Sequence, residues 1–135
     1  MAAIKPRVVI ADDESHVRVL LRALLKSMNC EVVGEAANGV EAIELFKQEK
    51  PHLLLLDINM PLKPGDEVLR EIMEQFPNAF VIMLTSVTDI GNVEKCLDLG
   101  AANYIRKDTP PAELKSIIKE TFQDFVRNRG GRSAS

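Results

Sequence analysis

Four short apolar runs in this chain each stop at a polar residue, and stretches of helical period lie between them. Val8-Val9-Ile10-Ala11 stops at Asp12-Asp13, Leu53-Leu54-Leu55-Leu56 at Asp57, Phe80 to Leu84 at Thr85, and Tyr104-Ile105-Arg106 at Lys107. The first three are continuous runs without polar alternation. They suit strands buried on both faces, as in a parallel sheet covered by helices. Glu31 to Ala36 is a weaker, partly polar strand signal, expected near a sheet edge. Strands are therefore expected over 7–11, 31–36, 53–56, 80–84 and 103–106.

The intervening segments repeat apolar residues at three-and-four spacing. Helix one carries Val17, Leu20, Leu21, Leu24, Leu25 and Met28. Helix two opens at Asn38-Gly39, with Val40, Ile43 and Phe46 expected inward. Helix three, about 66–75, carries Val68, Leu69, Ile72 and Met73; helix four, about 89–99, has the weakest stripe, in Ile90, Val93, Cys96 and Leu97. Gly100 suits a left-handed helix end. Pro110-Pro111 starts the last helix, with Leu114, Ile117, Ile118, Thr121, Phe122 and Phe125 on its buried face. Five strands alternating with five helices predict an α/β fold, a doubly wound parallel sheet with helices on both sides. In such sheets function sits at the carboxyl ends of the strands, where four of these runs deliver their polar residues.

With 135 residues and a net charge of −3, the chain reads as one domain over 1–128, followed by a polar, glycine-containing tail, 129–135, expected to be flexible. The acidic balance offers no basic face for direct nucleic-acid binding. Cys30 and Cys96 are too far apart for a metal knuckle or a redox pair, and are expected reduced and partly buried. Met1 to Pro6 is too short and polar for a signal peptide. No apolar run approaches the roughly 20 residues of a membrane span, so a cytoplasmic protein without membrane insertion is expected. His16 and His52 belong to no evident metal set, and neither is placed in the site.

Gathered at one sheet edge, Asp12, Asp13 and Asp57 cannot all stay ionised without a counter-charge. A hard divalent cation resolves this, and Mg2+ characteristically takes one or two carboxylates together with water and phosphate oxygens. A carboxylate in that position can also attack phosphorus and form an aspartyl-phosphate. Lys107 and the metal would neutralise a transferring phosphoryl group from two sides, and Thr85 could donate its hydroxyl to a further oxygen. Taken singly, each residue has a plain alternative. Asp12 or Asp13 could cap a helix, Asp57 could serve a turn, Thr85 could end a strand, and Lys107 could be solvated. Four strand ends acquiring matching groups independently is far less economical.

As a set, Ala11-Asp12-Asp13-Glu14, Leu56-Asp57-Ile58-Asn59-Met60-Pro61, Leu84-Thr85-Ser86, Gly100-Ala101 and Tyr104-Ile105-Arg106-Lys107 resemble the receiver domain of two-component response regulators, from about Pro6 to Phe125. The resemblance implies a flavodoxin-like, five-stranded sheet in the order 2-1-3-4-5. It implies that Asp57 accepts a phosphoryl group from a sensor histidine kinase or phosphotransfer protein. Mg2+ would be held by Asp13, Asp57 and the Asn59 backbone carbonyl, with Asp12 acting through a metal-bound water. Thr85 and Tyr104 would be the switch residues, and Lys107 would pair with the phosphoryl group. A downstream protein target would read the face of helix four, strand five and helix five. The chain would be a phosphoacceptor signalling domain rather than an enzyme, with self-phosphotransfer and slow self-dephosphorylation chemistry.

Two positions depart from the family pattern. Asp108 follows Lys107 where proline is usual, leaving open whether that peptide is cis or trans. Lys63-Pro64 precedes Gly65, and Lys63 is expected in solvent rather than over the acidic residues. The competing reading is a pseudo-receiver, a phosphorylation-independent interaction module. A flavodoxin would want a hydroxyl-rich phosphate loop, a dehydrogenase Gly-x-Gly-x-x-Gly, and an aspartyl hydrolase a second acid where Asn59 stands. No helix-turn-helix follows Phe125, so the chain as given is expected to act by binding a partner. One kinetic expectation follows from Asn59 and Val87: the resemblance implies that the residues two past Asp57 and two past Thr85 guide water onto the phosphoryl group, and Val87 cannot hydrogen-bond that water. Val87→Glu should shorten the phosphoryl lifetime severalfold in a decay assay by intact mass; a decay equal to or slower than that of the unmodified protein would contradict it.

Overall fold

Alternation within the strands places the core. The computed structural model describes the backbone of residues 5–134 and, within it, all side chains except those of residues 87, 90 and 128–134. Five strands, β1 (Arg7–Ala11), β2 (Glu31–Ala36), β3 (Leu53–Asp57), β4 (Val81–Thr85) and β5 (Asn103–Arg106), form one parallel sheet in the order β2-β1-β3-β4-β5. Val9, Ala11, Leu54, Leu56, Val81 and Met83 point into one apolar layer. Val8, Ile10, Leu53, Leu55, Ile82 and Leu84 point into the other. Successive strand residues face opposite sides, so a covered sheet needs every central position apolar. The two edge strands are more exposed: β2 is mostly half-buried, and in β5 only Ile105 is buried.

Helices α2 (Gly39–Glu49), α3 (Gly65–Gln75) and α4 (Val93–Asp98) cover the first layer through Ala42, Ile43, Phe46, Val68, Leu69, Ile72, Val93 and Cys96. Helices α1 (Ser15–Ser27) and α5 (Pro111–Ala134) cover the second through Leu21, Leu24, Leu25, Leu114 and Ile118. The Asn38 side chain caps α2 by accepting from the Glu41 N–H at 2.9 Å. Gly100, at φ 115°, takes the left-handed conformation that ends α4. Both cysteines are free, Cys96 buried and Cys30 partly so. Among the described residues, no helix is long and apolar enough to cross a membrane.

Some details differ from the sequence expectation. Helix four is shorter than 89–99: Val87–Asn92 forms a 3-10 segment, and only Val93–Asp98 is α-helical. Thr88, Asp89, Gly91 and Asn92 are weak helix formers, and the tighter turn is the usual compromise at such a helix start. The side chains of Ile90 and Val87 lie outside the described residues. Leu20, Val40 and Leu97, expected inward, are each about two-fifths exposed; they flank their stripes, and in α2 Ala42 takes the buried position beside Ile43. The backbone of the expected tail continues α5 to Ala134, while its side chains lie outside the described residues.

Glycine sets how closely α3 approaches the sheet. A Cβ on Gly65 would lie 2.1 Å from the Asp57 carbonyl oxygen and 2.8 Å from the Ile58 Cα. Both obstacles are backbone, so neither can rotate away. The Gly65 N–H also donates to the Ile58 carbonyl at 2.8 Å, tying the start of α3 to the end of β3. Gly91, by contrast, has nothing within 4 Å of its notional Cβ. Gly65→Ala should therefore cost about 2 kcal/mol or more in urea unfolding. Gly91→Ala should be neutral or slightly stabilising, by roughly 0.5 kcal/mol. Equal effects at the two positions would contradict this packing.

Candidate functional site

The sheet order reverses between β1 and β3, and the acidic residues sit at the carboxyl ends of those two strands. Asp57 is the last residue of β3; Asp12 and Asp13 directly follow β1, where the Asp12 N–H donates to the Ala36 carbonyl at 3.0 Å. Thr85 ends β4, and Lys107 directly follows β5, its N–H donating to the Thr85 carbonyl at 2.8 Å. The predicted residues thus meet at one edge. Asp12, Asp57 and Thr85 are the buried polar or charged residues among those described. The interior is otherwise apolar, so its polarity is concentrated at this site.

The two buried carboxylates are held alike. Asp12 Oδ1 accepts from the Glu14 N–H at 2.8 Å, and Asp57 Oδ1 accepts from the Asn59 N–H at 3.2 Å. Their second oxygens face the Lys107 ammonium, at 2.9 Å from Asp12 Oδ2 and 3.0 Å from Asp57 Oδ2. These are close ion pairs lying off the direction a hydrogen bond requires, and neither Oδ2 receives a hydrogen bond. Lys107 gives its directed bond to Glu14 Oε1 at 2.8 Å. Asp13 is exposed at the mouth. Ligand oxygens of Asp12, Asp13 and Asp57 lie within 4.8 Å of one another.

Electrostatics follow from burial. Loss of water raises the Asp57 pKa to about 7; the neighbouring Asp12 charge adds to this and Lys107 opposes it. Burial likewise pushes the Asp12 carboxyl up, against the Glu14 N–H and Lys107. Burial acts to lower Lys107, but the Glu14, Asp12 and Asp57 carboxylates outweigh it and hold the ammonium above the usual lysine value. One ammonium cannot neutralise four carboxylates. Two buried oxygens without hydrogen bonds and a third carboxylate at the mouth fit a hard divalent cation, with all-oxygen donors suited to Mg2+.

The remaining candidates are placed as follows. Thr85 Oγ1 donates to the Ser86 carbonyl at 3.0 Å, so its hydroxyl is engaged by the local backbone. Tyr104 is 38% exposed and turned outward on β5. Asn59 is exposed beside Asp57. No cis peptide occurs among the described residues, so Lys107-Asp108 is trans, and Lys107 reaches the carboxylates without a following proline. Lys63 is neither over the acidic residues nor free in solvent, because it pairs with Glu71 on α3. Of the histidines, His16 is largely exposed, and His52 Nδ1 accepts from the Arg7 N–H at 2.9 Å at the opposite end of the sheet.

Two contributors were missed in the sequence. Glu14 reaches Lys107 across 93 positions. Arg18 donates to the Asp12 carbonyl at 2.6 Å and approaches Glu35 at 3.5 Å, fixing the loop that presents the acidic pair. For Arg18 a signal existed: Arg18 and Arg22 lie four apart on one helical face and meet Glu35 together.

Comparison with known proteins agrees with this geometry. The family model for the response regulator receiver domain matches residues 8–119. The uncharacterised transcriptional regulatory protein YhcZ of Bacillus subtilis is 42% identical over 109 residues, covering 80% of this chain and 51% of that protein. The chain thus spans about half that relative's length. The chemotaxis protein CheY of Thermotoga maritima is 35% identical over 114 residues, covering 84% of this chain and 95% of that protein. Among solved structures, the CheX–CheY–BeF3–Mg2+ complex from Borrelia burgdorferi superposes with a TM-score of 0.83 at 30% identity, covering 88% of this chain and 90% of that chain.

The Asp57 shift makes a prediction for the metal-free protein. Between its unfolded value of 3.8 and about 7, the folded state holds a proton that the unfolded chain has released. Asp57 therefore stabilises the fold least at pH 7.5, its contribution declining as pH rises through that window. In EDTA, Asp57→Asn should stabilise the protein by about 1–3 kcal/mol at pH 7.5 and by almost nothing at pH 4. Urea unfolding at the two pH values checks this; a variant less stable than the unmodified protein at pH 7.5 would contradict it.

Proposed function

Because this chain belongs to the response regulator receiver domain family, we propose that it is a Mg2+-dependent phosphoacceptor switch with Asp57 as the acceptor. Receiver domains are signalling domains that work between histidine kinases or phosphotransfer proteins and downstream targets. In this chain an Asp57 oxygen attacks the phosphorus of a phosphohistidine on such a donor. The P–N bond breaks, its electron pair returns to the imidazole nitrogen, and that nitrogen takes up a proton from solvent. Asp13, Asp57 and the Asn59 carbonyl would hold Mg2+, with Asp12 acting through a coordinated water; when bound, the ion would neutralise charge on the transferring group.

Lys107 has the positive charge needed beside the new phosphoryl oxygens. Thr85 exchanges the Ser86 carbonyl for a phosphoryl oxygen, and Tyr104 turns inward from its exposed position. The 3-10 segment Val87–Asn92 joins Thr85 to α4, so movement of Thr85 is passed to the α4–β5–α5 face, where Leu97 and Tyr104 are partly exposed. A downstream protein reads that face in the cytoplasm, without direct nucleic-acid contact by this chain. In the absence of a donor protein, self-phosphotransfer from a small phosphodonor uses the same residues.

The observation that carries this reading is the pair of buried Asp12 and Asp57 oxygens that share one ammonium without hydrogen bonds. Burying two acids against one base is a poor way to stabilise a fold. A pseudo-receiver, acting without phosphorylation, has no use for that cost. Incubation with acetyl phosphate and Mg2+ should add one phosphoryl group by intact mass, and Asp57→Asn or EDTA should abolish at least nine-tenths of it. No adduct in the unmodified protein, or equal adducts in both, would overturn the proposal.

A further inference from the structure

Glu14 stands where a capping residue is expected and does not cap. It occupies the N-cap position of α1 in extended backbone, but its side chain makes no capping bond. Ser, Thr, Asp or Asn would satisfy that helix end better. The carboxylate turns instead to Lys107, 93 positions away, at 2.8 Å. Of the three carboxylates around that ammonium, it alone receives a directed hydrogen bond; Asp12 and Asp57 have ion-pair contact only. Glu14 is also the half-exposed one, at 46%, while Asp12 and Asp57 are buried. It therefore lies at the mouth that a phosphodonor must pass.

We propose that Glu14 is a positioning residue that competes with the incoming phosphoryl group for Lys107, and so slows the loading of Asp57. This rests on Asp57 being the phosphoacceptor. Two effects act in the same direction. The ammonium must give up its directed bond to Glu14 before it can serve a phosphoryl oxygen, and the Glu14 charge at the mouth repels an anionic donor. Removing the charge keeps the fold and accelerates loading. The second effect is a surface interaction, so salt screens it, and it grows with the charge of the donor.

The test compares the unmodified protein with Glu14→Gln, which keeps the shape, and Glu14→Ser, which should cap α1 better. Loading by acetyl phosphate with Mg2+ at low salt should be about threefold to tenfold faster in both variants. That gain should shrink at 0.5 M salt, and it should be smaller with phosphoramidate, which carries one less net negative charge near neutral pH. Unchanged or slower loading in either variant, with the unmodified protein forming its adduct normally, overturns this inference alone. A gain equal for both donors and at both salt concentrations also overturns it, since it would mark a general structural effect. Absence of any adduct in the unmodified protein sinks the phosphoacceptor reading and this inference together.

Discussion

One ammonium group holds the chemistry of this molecule together. Lys107 stands within 3.0 Å of Asp12, Glu14 and Asp57, and two of those carboxylates are buried. Without it, two like charges would face each other in an apolar surround, an arrangement that strongly favours protonation of one. With it the pair is tolerated but left short of positive charge. On the function proposed above, that shortfall would make the site receptive: a divalent cation would complete the neutralisation, and a phosphoryl group would give the ammonium a further anion to bind.

The scaffold exists to impose that proximity. Asp57 ends β3 and Asp12 directly follows β1, adjacent strands paired through Ala11 and Leu56 at the point where strand order reverses, so the sheet register fixes their separation. Gly65 lets α3 press against the Asp57 carbonyl with no side chain between them. The Arg18 bond to the Asp12 carbonyl holds the other half of the acidic cluster. Lys107 is placed by the Thr85 carbonyl, which makes the β4 end a structural neighbour of the ammonium as well as the source of a hydroxyl. A change at Thr85 is therefore mechanically close to both Lys107 and the segment leading to α4.

The three central strands were legible almost residue by residue, because burial on both faces leaves continuous apolar runs; the edge strands β2 and β5 carried weaker, partly polar signals. The helices were legible at the centres of their stripes and not at the margins. Leu20, Val40 and Leu97 sit where periodicity alone cannot say how wide the buried face is. Helix four lost its first turns to a 3-10 segment because local propensity at Thr88, Asp89, Gly91 and Asn92 outweighed the apolar pattern. At the site, each strand-end residue could be named from its position. The Glu14–Lys107 and Lys63–Glu71 pairs could not, since nothing in a linear sequence brings those side chains together.

On the proposed function, the incompletely neutralised acidic pair takes up a divalent cation through Asp57. Calorimetric titration with Mg2+ tests it without any phosphodonor. At pH 7 one ion per chain should bind, with release of a fraction of a proton because burial raises the Asp57 pKa to about 7 in the metal-free fold. Asp57→Asn should lose at least about tenfold in affinity. Equal affinity in the two proteins, with no proton released by either, would contradict it.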